Sequence, residues 1–260
     1  MGQLNGRLAL ITGGTKGIGA AVAHRFAAEG ADLIIAARNS DDLEAMDDSL
    51  RTKGYDRAIL VPFDVARPEP AIELSNIVHE RFGKLDILVS NAGMLGTLMP
   101  VSQMPAAEFE KIMATNLHAL QYQLFAFNDL LLASDAGRLI AVSSGAALEP
   151  RPYWSPYGAA KAAMEFMLQS YVKESKGTSL CANIVDPGRI RTTMRADAYP
   201  GEEPTTLPEA SAITGTFVRL ARASCGDNGQ RITAEIEGWT PTTGDEARWQ
   251  QLANGNFVPA

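Results

Sequence analysis

Short apolar runs alternate with longer amphipathic stretches along most of the chain. Arg7–Thr12, Asp32–Ala37, Ala58–Phe63, Leu85–Ser90, Arg138–Ser143 and Leu180–Val185 are each about as long as a strand, and each is apolar at most positions. Runs this short and this continuous fit strands covered on both faces, as in a parallel sheet. Between them lie helical patterns near residues 20–29, 43–53, 73–82, 104–133, 157–174 and 209–223, with Gly30 and Gly177 as stops. Gln230–Ile236 reads as a last strand. Strand and helix in near-strict alternation predict an α/β fold, a doubly wound and mostly parallel seven-stranded sheet.

Composition narrows the class. The 260 residues are 46% hydrophobic and 20% charged, ordinary for a globular protein, and residues 1–238 are expected to form one domain. Residues 239–260, with Trp239, Trp249 and Phe257, form a tail to which the pattern gives no role. A net charge of −7 speaks against a nucleic-acid surface. No apolar run approaches the ~20 residues of a membrane span, so a cytoplasmic location is expected. Cys181 and Cys225 read as reduced thiols. His24, His79 and His118 lack metal-ligand spacing, and no metal site is expected.

The first strand runs into Gly13-Gly14-Thr15-Lys16-Gly17-Ile18-Gly19 and then an Ala-rich helix. Glycines let the backbone approach a diphosphate, whose charge the helix N-terminus stabilises. This is the strand, turn and helix of a Rossmann-type dinucleotide site, with Gly13, Thr15, Lys16, Gly17, Ile18 and Gly19 as its cradle. An NAD site usually carries an acid about 20 positions past the glycines. Here Ala37 and Arg38 follow the second strand. Arg38 can pair with a 2′-phosphate and Lys16 can assist, which favours NADP(H) and leaves NAD(H) admissible.

Tyr157 and Lys161 lie four apart at the start of an Ala-rich helix, on one face. A phenol has a pKa near ~10, and an adjacent ammonium is expected to lower it into a working range for acid–base chemistry. Ser144 follows the fifth strand, at the sheet edge where parallel sheets place ligands. It can hydrogen-bond a carbonyl held before Tyr157.

Together, Ser144, the Tyr157-x-x-x-Lys161 pair and the Gly-x-x-x-Gly-x-Gly turn resemble the short-chain dehydrogenase/reductase family, in its NADP-preferring branch. The resemblance is dense from Leu4 to about Thr192. It implies that Ser144, Tyr157 and Lys161 are catalytic and that Lys161 also holds the nicotinamide ribose. Asn116 would hold a water in the proton path. Asp64 would accept from the adenine amino group, with Val65 covering the ring. Asn91-Ala92-Gly93 follows Ser90, where the family usually has Asn. Asn91 would brace the sheet, and the small residues beside it would let the sugar lie close. Tyr157 also counts among the cofactor contacts. Pro187, Gly188 and Ile190 would line the nicotinamide pocket, and Thr192 would bond its carboxamide. Residues 194–208 match a substrate lid. Glu235-Ile-Glu-Gly238 departs from the family's Asp-Gly-Gly ending.

The implied reaction is hydride transfer between NADP(H) and a small-molecule carbonyl or alcohol. An epimerase or dehydratase on the same fold would have a larger C-terminal domain and another glycine spacing. A non-catalytic NADP-binding regulator would not need the Ser, Tyr, Lys and Asn set. Tyr153, Trp154, Met94, Leu95, Met99 and Met194 are candidates for a bulky apolar pocket, or for ordinary loop packing. Ala159, Ala162, Ala163 and Phe166 give the Tyr157 helix a second apolar face. A homodimer or homotetramer follows, with Phe166 near the two-fold axis and Leu120, Leu124 and Phe127 contributing from the preceding helix.

Overall fold

A computed structural model describes residues 2–238. The tail with Trp239, Trp249 and Phe257 lies outside the described residues. Seven parallel strands, β1 (Leu8–Thr12), β2 (Asp32–Ala37), β3 (Ala58–Pro62), β4 (Ile87–Ser90), β5 (Arg138–Val142), β6 (Cys181–Asp186) and β7 (Arg231–Thr233), form one sheet in the order β3-β2-β1-β4-β5-β6-β7. Strand order reverses between β1 and β4, and a crevice opens there at the C-terminal edge.

Period-two alternation divides the strands between two cores. Ala9, Ile11, Leu33 and Ile35 pack with Phe26 of α1 (Gly17–Ala28), Leu43 of α2 (Ser40–Thr52) and Phe217 of a later helix. Leu8, Leu10, Ile34 and Leu88 face the other way, onto Leu74 of α3 (Pro68–Phe82) and two further helices. The sequence marks several of these boundaries directly. Asn39 caps α2 by accepting from the Asp42 amide at 2.9 Å, and Gly83 ends α3 in the left-handed conformation, φ 69°.

The helical pattern of 104–133 forms an unbroken helical run from 106 to 132 that is widened in its middle. It divides into α4 (Ala106–Met113), a π-helical turn (Ala114–His118) and α5 (Ala119–Leu132). After β5 comes α6 (Ser155–Glu174), and after β6 come the short α7 (Thr193–Ala198), a 3-10 turn (Ala210–Ile213) and α8 (Thr214–Ala221), the helix that carries Phe217. The last strand pairs over three residues rather than the seven expected. The cause lies in its partner: Asp186 pairs with Thr233, and the chain of β6 then turns away at Pro187 and Gly188, so nothing remains for later residues to pair with.

Candidate active site

At the crevice the turn after β1 is folded against the segment after β4. Gly13 and Gly17 have φ of 65° and 53°, conformations that side chains resist. A Cβ on Gly13 would lie 2.9 Å from the Ala92 Cα, and one on Gly19 would lie 2.2 Å from the Gly13 carbonyl oxygen. Asn91 ties the two segments: its Nδ2 donates to the carbonyls of Thr12 (3.0 Å) and Gly13 (3.1 Å), and its amide donates to the Thr12 hydroxyl at 3.2 Å. The N-terminus of α1 has no side-chain cap. Amides are therefore left to meet an anion, in a cradle that a Cβ would fill. Thr15 and Ile18 are half-buried beside it.

Arg38 is exposed at the end of β2, and Ala37 is buried. Lys16 is exposed too, with its ammonium 2.6 Å from the Asp42 carboxylate. Asp64, after β3, accepts from the Ala66 amide at 3.1 Å through Oδ1, and Val65 is buried in the core on the α3 side.

Tyr157 and Lys161 are both buried in the first turns of α6. The Lys161 ammonium lies 5.9 Å from the centre of the Tyr157 ring and donates to the Val142 carbonyl at 2.8 Å. Burial pushes Tyr157 up to about 12; the Ser144 hydroxyl works against that rise and the Asp186 carboxylate adds to it. Burial pushes Lys161 down to about 8, opposed by Glu165. The net shift of Tyr157 is thus upward, the reverse of the lowering expected from Lys161. Burial dominates, and Lys161 gives up its charge at a lower pH than Tyr157 gives up its proton.

Asn116 sits in the π-helical turn. Its Nδ2 donates to the carbonyls of Ile112 (2.9 Å) and Met94 (2.7 Å), and its Oδ1 accepts from the Met94 amide at 3.1 Å. The widened turn is thereby braced against the loop after β4. A Cβ on Gly93 would lie 3.1 Å from Asn116 Oδ1 and 3.8 Å from Lys161 Nζ, so these three residues converge.

A cleft of ≈ 570 Å³ is lined by Met94, Leu95, Leu98 and Met194, with Thr97, Thr193 and Asp197 as polar members. Trp154 stands edge-on to Tyr157, with ring centres 6.0 Å apart, and also contacts Tyr199 at 5.8 Å. Tyr153 is exposed, in the left-handed region at φ 71°. Of the expected pocket residues, Met99, Tyr153 and Trp154 are not among those lining this cleft. In the loop after β6, Gly188 has φ 71° and donates its amide to Asp186 Oδ1 at 3.1 Å. Pro187 is half-buried and Ile190 buried. Thr192 caps α7 by accepting from the Arg195 amide at 3.1 Å. Its Cγ2 would be 3.4 Å from a Cβ on Gly17, which brings this loop to the glycine turn.

Two charged groupings lay outside the sequence reading. Glu202 pairs with both Arg189 and Arg195, and Arg195 lies 3.7 Å over the Tyr199 ring, so the segment after α7 is held by ion pairs. Behind Ser144, Arg231 meets Glu165 and Asp186. The signal for Glu165 was present, since a residue four past Lys161 shares its buried face. Nothing near Arg231 in sequence marks it.

Residues 7–203 match the short chain dehydrogenase family. The uncharacterized oxidoreductase YciK of Escherichia coli (strain K12) is 32% identical over 232 residues, 88% of this chain and 90% of that protein. The A-factor type gamma-butyrolactone 1'-reductase (1S-forming) of Streptomyces virginiae is 34% identical over 199 residues, 76% of this chain and 77% of the reductase. A short chain dehydrogenase from Escherichia coli CFT073, solved in complex with NADPH, is 30% identical, with a TM-score of 0.85 covering 89% of this chain and 97% of the other.

Proposed function

The chain belongs to the short-chain dehydrogenase/reductase family of oxidoreductases, and from that premise we propose that it transfers hydride between NADP(H) and a carbonyl or secondary alcohol. The observation that carries this is a buried Tyr157 with Lys161 across its ring and Trp154 at its edge, Lys161 lying beside Gly93 in the segment that packs on the glycine cradle. The cofactor, when bound, supplies the hydride for reduction and takes it in oxidation.

Gly13, Thr15, Gly17, Ile18 and Gly19 would hold its diphosphate, and Arg38 with Lys16 its 2′-phosphate. Asp64 and Val65 would take the adenine end, and Asn91, Ala92 and Gly93 the sugar. Pro187, Gly188, Ile190 and Thr192 would border the nicotinamide. The relative solved with NADPH supports the NADP(H) assignment.

Ser144 and Tyr157 hydrogen-bond the substrate oxygen, and Tyr157 delivers the proton in reduction. A phenol pushed up to about 12 is fully protonated at neutral pH, and so available as an acid. The Lys161 ammonium stabilises the phenolate as the proton leaves. Asn116 keeps the loop around Lys161 in place and would hold the water that returns the proton. Met94, Leu95, Leu98 and Met194 favour a substrate whose carbonyl is carried on an apolar body. The reductase name of the Streptomyces relative is consistent with carbonyl reduction.

The protein is also proposed to be a homo-oligomer. Phe166 of α6 is 76% exposed and Phe125 of α5 is 72% exposed, and large aromatics so exposed suit a contact between copies. Leu120 and Phe127, expected at that contact, are instead fully buried in the subunit's own core and are not available.

The decisive experiment follows NADPH consumption across a panel of apolar ketones. Tyr157→Phe should retain NADPH binding by titration and lose nearly all turnover. Turnover equal to the wild type would overturn the mechanism.

A further inference from the structure

An ionic cluster that the proposed chemistry does not use lies directly behind Ser144. Arg231, on the edge strand β7, donates through Nε to both carboxylate oxygens of Glu165 (3.1 and 3.2 Å). Its Nη2 donates to the Ser144 carbonyl at 3.0 Å and to Asp186 Oδ2 at 3.1 Å. One guanidinium therefore joins the end of β5, the end of β6 and the third turn of α6.

Each of those points leads to a proposed working part. Ser144 carries the hydroxyl that faces the substrate. Glu165, one helical turn past Lys161, also accepts from the Ser143 hydroxyl. Asp186 accepts through its other oxygen from the Gly188 amide, at the start of the nicotinamide loop. Glu165 and Asp186 are both buried. Two carboxylates so placed need a shared cation, and a planar fork with several donors can serve both while still reaching a carbonyl.

We propose that Arg231 is a positioning residue for this oxidoreductase: by gripping the Ser144 carbonyl, Glu165 and Asp186 at once, it fixes the serine, the Lys161 helix turn and the nicotinamide loop relative to one another. The proposal rests on the oxidoreductase reading of the same site.

Arg231→Met and Arg231→Lys test it, at a temperature where both remain folded by circular dichroism. Misplacing reacting groups by about 1 Å costs on the order of 10²-fold in rate. Arg231→Met should therefore lose about that much in kcat, with a much smaller change in KM for the ketone, and Arg231→Lys should recover part of the loss. Amide hydrogen exchange gives a readout independent of turnover. In Arg231→Met, residues 144–147 and 188–192 should lose protection together, while the β1 and β2 amides keep theirs. An unchanged kcat in a folded Arg231→Met overturns the proposal, as does unchanged exchange in the two segments. If the wild type binds NADPH but reduces no ketone, the functional reading fails, and the exchange result still decides whether Arg231 couples the segments.

Discussion

Replacing Asp42 with Asn should tighten NADPH binding and leave NADH binding nearly unchanged. Lys16, within the glycine turn, is the second cation assigned to the 2′-phosphate, yet its ammonium rests 2.6 Å from Asp42. Binding the phosphate therefore requires Lys16 to exchange one anion for another, or the Asp42 charge to sit close to a phosphate. The pair is open to water, with side-chain exposures of 70% for Lys16 and 29% for Asp42. Exposed pairs are worth about 0.2–1 kcal/mol, and that is the range of the gain once Lys16 is released. A gain of about 1 kcal/mol corresponds to roughly a fivefold lower Kd. Removing a like charge near the phosphate acts in the same direction, and salt should diminish the effect. The assay is paired titration of NADPH and NADH against wild type and Asp42→Asn at low and moderate ionic strength. Equal improvement for both cofactors would show that Asp42 acts on the diphosphate or on α2, and no improvement for NADPH would remove Lys16 from the phosphate site.

Activity should change with pH around the Lys161 value. That ammonium, pushed down to about 8, is present below this pH and lost above it, so ketone reduction should fall as the pH rises through that value, as pH–rate profiles of the reduction would show. Flat profiles there would separate Lys161 from the proton step. Gly13→Ala should impair NADPH binding severely, because φ is 65° and the new Cβ would meet the Ala92 Cα at 2.9 Å; backbone strain of about 1–3 kcal/mol is expected, readable as a lower thermal midpoint. An unchanged midpoint and Kd would show that the two segments move apart at little cost. Phe166→Glu should move the protein toward monomer by light scattering, and a wild type that is already monomeric at micromolar concentration would refute the contact.

Much of the fold was legible because parallel strands buried on both faces write themselves as continuous apolar runs; Asp32–Ala37 matches its prediction residue for residue. Local chemistry was legible in part: the run Asn39-Ser40-Asp41-Asp42 marks a helix start without choosing between Asn39 and Ser40 as its cap, and Asn39 takes that place. The parts that escaped depend on partners remote in sequence. The π-helical turn at Ala114–His118 keeps an approximately helical spacing of apolar residues, and only the reach of Asn116 to Met94 reveals why the turn is widened. The length of β7 is set by where β6 stops. On α5 apolar residues fall on most sides of the helix, so a helical wheel cannot choose a face. Leu120 and Phe127 turned inward while Phe125, one position away from the expected stripe, is exposed. Arg231 could not be singled out, because its importance comes from Glu165, Ser144 and Asp186, each brought to it by a different element.

The electrostatics of the site follow from one cause acting on two groups of opposite type. Burial disfavours whichever form is charged, so it raises the phenol of Tyr157 to about 12 and lowers the ammonium of Lys161 to about 8. Between those values, at equilibrium, a neutral phenol faces a neutral amine, and below the lower one a neutral phenol faces an ammonium. The second arrangement suits proton donation. A positive charge about 6 Å from the ring, at an effective dielectric of about 20, is worth about 3 kcal/mol to a phenolate and little to a phenol. Lys161 therefore contributes when the proton departs rather than while it is held, which is the condition for lowering a barrier instead of merely tightening binding. Its ammonium is kept in place by the Val142 carbonyl and opposed in charge by Glu165. Glu165 in turn shares Arg231 with Asp186, the carboxylate that raises Tyr157 further. Two cations and two carboxylates thus balance around the phenol. Removing Arg231 leaves an excess negative charge on the side where a phenolate must form, so the same substitution that loosens Ser144 also makes proton donation by Tyr157 harder.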